Sequence, residues 1–251
     1  MTAGSTHSSA ATEHQPPVAE RARTVAACPV ASLYCAGLGV SQLWGATTTA
    51  SGDVLLVVPL DGAVIAALRD SPLGDMPARL TVTDRTPFPT RHPVRGLLQL
   101  SGWLTPIDPD DVPRLVLDFA EAHPSESLFD VGLSATLVRL DLAEVKLEET
   151  GVCTDVDVDD FVAARPDAIS RMEKELMAQQ SAGLSRLSAR VQCWAGRHDD
   201  VRLLGLDRFG VRFRVQSRHG CYDLRVPFAA PLTDPADFGA AVEHLLTCGP
   251  A

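Results

Sequence analysis

His92 stands one residue after Arg91 and three before Arg95, at the entrance to the most β-like run of the chain, Val94 to Leu104. An imidazole can ligate a metal or move a proton near neutral pH, and a guanidinium fork grips a carboxylate or a phosphate through paired hydrogen bonds. Of the seven His, this one has the most suggestive neighbours. The remaining His are placed less suggestively. His7 and His14 fall in the first stretch of chain, and His123 ends a helical pattern where a cation suits the dipole. His244 sits on an exposed helix face, and His198 and His219 sit in loops.

Other constellations fail on spacing. Gly37-Leu38-Gly39 opens like a dinucleotide loop, but the next glycine is Gly45 and a strand pattern follows, so it reads as a turn. Asp155, Asp157 and Asp159 alternate like half a calcium loop. The turn glycine is replaced by Asp160 and the closing Glu by Pro166, leaving a solvated acidic linker. There is no Gly-x-Ser-x-Gly elbow and no His-Glu-x-x-His helix. The six Cys are scattered with no two-residue spacing, which excludes zinc knuckles and thioredoxin-type pairs and suggests buried free thiols.

The bulk properties narrow the class. A net charge of −10 with no Lys/Arg run argues against a nucleic-acid partner, whose phosphates demand a basic stripe. Apolar runs such as Val54 to Leu60 are too short to span a bilayer, so no membrane partner is expected. Residues 1–18 lack the basic start and apolar middle of a secretory signal and read as a disordered leader, which predicts a cytoplasmic protein.

Strands are expected at Pro29 to Cys35, Gln42 to Thr49, Asp53 to Pro59, Arg79 to Thr83, Val94 to Leu104 and Ala135 to Leu147. Ala50-Ser51-Gly52 reads as a hairpin turn, and Asp108-Pro109-Asp110-Asp111 as a helix start ahead of the stripe Val112, Leu115, Val116, Phe119. Six strands without a βαβ rhythm predict a closed antiparallel barrel over residues 19–152. Residues 153–251 then predict a long helical pattern from Pro166, a three-stranded meander, and a last helix opened by Asp234-Pro235. The fold class is α+β.

The run Pro93-Val94-Arg95-Gly96-Leu97-Leu98-Gln99-Leu100-Ser101-Gly102-Trp103-Leu104 resembles an FMN-binding-type split barrel related to pyridoxamine-phosphate oxidase. Arg202 to Val211 and Leu224 to Phe228 resemble the small α/β domain that follows this barrel in HugZ-type heme-utilisation proteins, and most of all their uncharacterised actinobacterial branch. The resemblance implies a homodimer with a ligand groove. It makes Arg95 the leading anion anchor, with Arg91 and Arg79 behind it. Relatives carry a His-containing stretch in the long helix, where this chain has Met177-Ala178-Gln179-Gln180-Ser181-Ala182-Gly183-Leu184. A heme iron would then need another ligand, and His92 or His219 are the candidates.

These readings converge on a non-catalytic heme- or tetrapyrrole-associated binding protein with no catalytic residues and no metal site of its own. Two alternatives stand beside it: an FMN-dependent oxidoreductase with an Arg on the phosphate, and a cofactor-free scaffold regulating a partner enzyme. If the chain is an enzyme, heme-oxygenase-like or flavin chemistry is the expectation.

Overall fold

The computed structural model describes residues 15–88, 90–218 and 220–248. Most of the expected leader, together with His7, His14 and His219, lies outside the described residues. The chain divides into two compact units. One comprises Val18–Arg85 with Val94–Pro166; the other joins the segment Thr86–Pro93 to the chain from Asp167 onward.

In the first unit α1 (Val18–Ala26) precedes β1 (Ala31–Cys35), β2 (Gly39–Ser41), β3 (Gly45–Thr48) and β4 (Val54–Pro59). Then come α2 (Ala63–Asp70), β5 (Met76–Arg85), β6 (Val94–Pro106), α3 (Val112–Ala122), β7 (Ala135–Glu149), β8 (Val152–Val156) and α4 (Val158–Ala163). The strands form one curled antiparallel sheet in the order β2-β1-β5-β6-β7-β4-β3, with β8 paired to β7.

Among the described residues the sheet therefore has eight strands rather than six, and its hydrogen-bonded path does not close on itself. Both extra strands are short hairpin returns. Gly37 and Gly39, at φ 82° and 75°, turn β1 back into β2. Thr150 and Gly151, at 50° and 78°, do the same between β7 and β8. The stretch expected to be a solvated acidic linker is thus a strand followed by a helix, and Asp157 caps that helix by accepting from the N–H of Asp159 and Asp160.

β4 is buried along its whole length. Val54, Leu56 and Val58 belong to the core inside the curl, with Leu33, Leu80, Leu98, Leu100 and Leu147. Leu55 and Val57 point the other way, under Leu115 and Phe119 of α3. Burial on both faces explains why its sequence is a continuous apolar run rather than an alternation. Each such side chain contributes about 1.5–3 kcal/mol. α3 starts later than its acidic signal suggests: Asp108 accepts from the N–H of Asp110, and Pro113 occupies the first turn. At the β6–β7 bulge a Cβ on Gly102 would lie 1.9 Å from the Asp141 carbonyl oxygen, so only glycine fits there.

In the second unit the expected long helix is three: α5 (Ala168–Arg171), α6 (Glu173–Gln179) and α7 (Ser181–Trp194). The breaks fall at Met172 and at Gln180, inside the polar gap of the apolar pattern. β9 (Asp200–Asp207), β10 (Gly210–Ser217) and β11 (Gly220–Pro227) make the antiparallel meander, and α8 (Phe238–Cys248) closes the unit. Ile169, Leu184, Leu187, Phe213, Val215, Phe238 and Val242 share its core. Asp167 caps α5 and also accepts from the N–H of Arg208 at 3.2 Å, while Glu173 accepts from the N–H of Leu206 at 2.8 Å. Those two buried carboxylates tie the helices to the end of β9 and to the β9–β10 turn.

Candidate functional site

The residues singled out from sequence separate into two groups. Arg95, on β6, closes its fork on Asp84 of β5: Nε lies 3.1 and 3.0 Å from the two carboxylate oxygens, and a terminal nitrogen lies 2.7 Å from Oδ1. Both side chains are 11% exposed, and the Cys28 thiol donates to the same carboxylate at 3.7 Å. Arg79 stacks on Tyr34, its cross-strand partner on β1, with the guanidinium 5.7 Å from the ring centroid. Two of the three expected anion anchors thus carry internal contacts in the first unit.

Arg91 and His92 belong to the second unit, through the segment Thr86–Pro93. Alternation places Phe213 and Val215 of β10 in the core, so Arg214 and Gln216 occupy the opposite face. Register sets Arg202 and Asp223 beside Arg214, and Asp200 and Cys221 beside Gln216. Arg214 is 5% exposed. It donates through Nε and a terminal nitrogen to Asp223, at 2.8 and 3.0 Å, and through the other to the His92 carbonyl at 2.5 Å. The buried arginine therefore pins the Pro-rich segment against this unit.

A cleft of about 750 Å³ opens there, within the range of roughly 300–1,000 Å³ usual for small-molecule sites. Thr90 and Arg91 line it from the segment, His198 from the loop before β9, Asp200 and Arg202 from β9, and Gln216 to Arg218 from the end of β10. Among the described residues of the lining three guanidinium groups face one carboxylate, an excess of two positive charges on a chain carrying −10. Asp200 is engaged by Arg202 at 2.9 Å. Among the described residues Arg91 and Arg218 have no such partner. Thr90 and Gln216 are half-buried, and their Oγ1 and Nε2 atoms are covered with no hydrogen-bond partner among the described residues. Leaving such a group unpaired costs about 1–3 kcal/mol, so two in one lining is unusual.

Of the residues singled out from sequence, Arg91 lines this cleft and the His92 carbonyl accepts from Arg214, while His198, Arg202, Gln216 and Arg218 were not singled out. The alternation Val211-Arg212-Phe213-Arg214-Val215-Gln216 carried the missed signal, a strand whose outward face is basic and polar. Burial pushes the Cys221 thiol up, opposed by the Arg214 charge, so this neighbour is no thiolate at neutral pH. No cluster of three metal-ligating side chains occurs among the described residues.

A second opening, of about 430 Å³, lies against α3 in the first unit and is lined by Val116, Ala120, Pro124, Leu128 and Phe129. Phe129 is 83% exposed. Among the described residues no helix is long and apolar enough to cross a membrane.

No protein-family model matches the chain, and no curated protein matches it. Solved structures do. The fold is similar to that of a heme binding protein from Mycobacterium smegmatis at 18% identity and a TM-score of 0.61, covering 92% of this chain and 96% of that one. A protein of unknown function from Agrobacterium tumefaciens aligns at 18% identity and a TM-score of 0.40, over 92% of this chain and all of that one (100%). An FAD and heme binding protein from Mycobacterium smegmatis aligns at 14% identity and 0.39, over 59% and 78%. The first of these likenesses is one of fold.

Proposed function

We propose that this chain is a non-catalytic binding protein of the HugZ-type split-barrel kind, and that its cleft takes the carboxylate edge of a heme or related tetrapyrrole. The observation that carries the reading is the pair Arg91 and Arg218, without ion-pair partners among the described residues, at the mouth of a cleft with two surplus positive charges. Two propionates supply two negative charges, and Arg forks are suited to carboxylates. His198 offers an imidazole in the same lining, and His92 follows Arg91 directly.

Among the described residues the lining fits the carboxylates and not the ring, because Thr, Arg, His, Asp, Gln and Ser offer no aliphatic or aromatic wall for a macrocycle. The chain's own residues would hold and orient the anionic edge, and no reaction step follows from them. Heme, when bound, supplies iron chemistry. Tyr34, Val40 and Trp103, exposed on β1, β2 and β6, support the homodimer that the resemblance implies.

Titration with hemin and with FMN, followed by absorption, tests the reading. A saturable Soret change favours the tetrapyrrole, a bound flavin spectrum moves the function to oxidoreduction, and silence with both removes the cofactor readings. A second reading, a scaffold for a partner enzyme, draws on the exposed apolar groove against α3. A defined complex with a partner enzyme in the absence of either cofactor would support it.

A further inference from the structure

The arginines explain why an anion would approach the cleft; they do not explain the two polar atoms left stranded in its lining. Thr90 and Gln216 come from different elements, the segment pinned by Arg214 and the end of β10. Neither Thr90 Oγ1 nor Gln216 Nε2 has a partner among the described residues. An amide N–H pair can only donate, and a hydroxyl donates readily, so both await acceptor oxygens. A valine and a methionine would fill the same positions without that cost. Retaining unpaired donors beneath a surplus of guanidinium charge is what a site for an acceptor-rich anion requires.

Building on the proposed function, we infer that Thr90 and Gln216 are the specificity-determining residues of this cleft, and that they read a dianionic group of acceptor oxygens. Arg91, Arg202 and Arg218 attract the charge; the hydroxyl and the amide turn to meet the oxygens and gain the partners they lack. The surplus of two positive charges matches a phosphate monoester, which carries about −1.5 to −2 at neutral pH, or a pair of carboxylates. The shared chemistry is two negative charges spread over several acceptors. Ligands with one charge, or with esterified acids, lack it.

This assignment makes an unusual coupled prediction. Replacing the stranded donors with apolar isosteres relieves the unliganded protein and harms the complex at once. A Thr90→Val/Gln216→Met variant of the full chain is compared with the natural sequence by calorimetric titration with inorganic phosphate, hemin and hemin dimethyl ester. Thermal unfolding is recorded without ligand. The expected result is an unfolding temperature raised by roughly 2–4 °C. Affinity for the recognised dianion should fall about tenfold or more.

Binding of hemin but not of its diester identifies the carboxylate pair as the recognised group. Binding of phosphate without hemin leaves the dianion site standing while the tetrapyrrole reading fails. The inference is overturned if neither phosphate nor hemin binds the natural sequence. It is equally overturned if the variant binds them as tightly as the parent, or if the variant melts lower.

Discussion

Arg95 and Asp84 face each other across the β5–β6 hairpin in a bidentate pair, each side chain only 11% exposed. The Asp84 carboxylate also accepts from the Cys28 thiol, so the fork most suggestive of ligand binding in the sequence is engaged within its own sheet. Removing one partner of such a pair strands the other, at a cost of about 3–5 kcal/mol. Arg95→Ala should lower urea-derived stability by about that amount and leave the affinity for hemin or phosphate unchanged. A large loss of affinity with unchanged stability would return Arg95 to the ligand site.

Arg214 has a different double task, holding Asp223 across the β10–β11 pair and the His92 carbonyl on the segment that carries Thr90 and Arg91. Arg214→Ala should destabilise by about 3–5 kcal/mol, and Asp223→Ala by a similar amount. The double replacement should cost less than the sum, because no charge is left stranded. Chemical denaturation of the three variants measures this coupling. Purely additive losses would mean that the pair contributes nothing beyond its packing.

The architecture was legible in the sequence where patterns were local. The hairpin at Ala50-Ser51-Gly52, the turn at Gly37-Leu38-Gly39 and all three meander strands came from turn chemistry and alternation. The short strands β2 and β8 were not, since three to five residues with mixed burial leave too little periodicity to detect. The acidic run was misread because charge hides a strand when the partner strand, and not the residue pattern, defines it. In the candidate cleft, Arg91 stands out in the sequence only as a charge near a strand. Its grouping with Arg202, Gln216 and Arg218 depends on Arg214 anchoring a Pro-rich segment 122 positions away in the chain, which no local pattern reports.

Arg91 and Arg218 are exposed, so their contribution should be electrostatic and sensitive to salt. Arg91→Ala is expected to weaken dianion binding about tenfold at low ionic strength, with the difference shrinking as salt is added. Titration at two salt concentrations checks this. A salt-independent loss would point instead to a change in the segment's packing.

Cys35 is fully buried in the core of the first unit, and burial pushes its thiol above the ordinary value of 9.0, with the Ser41 side chain pulling the other way. Above that ordinary value the unfolded thiol loses its proton while the folded one keeps it, so the folded state binds more protons and stability falls as pH rises. Unfolding free energy measured from pH 8 to about 10.5 should decline more steeply for the natural sequence than for Cys35→Ala. Parallel slopes would remove Cys35 from the pH dependence.

The most direct measurement is an absorption titration of the purified full chain with hemin, repeated for an Arg91→Ala/Arg218→Ala variant. The expected result is a saturable Soret change for the natural sequence and an affinity at least about tenfold weaker for the variant. No saturable change, or equal affinity in the two proteins, would contradict the assignment of this cleft to the carboxylate edge of a tetrapyrrole.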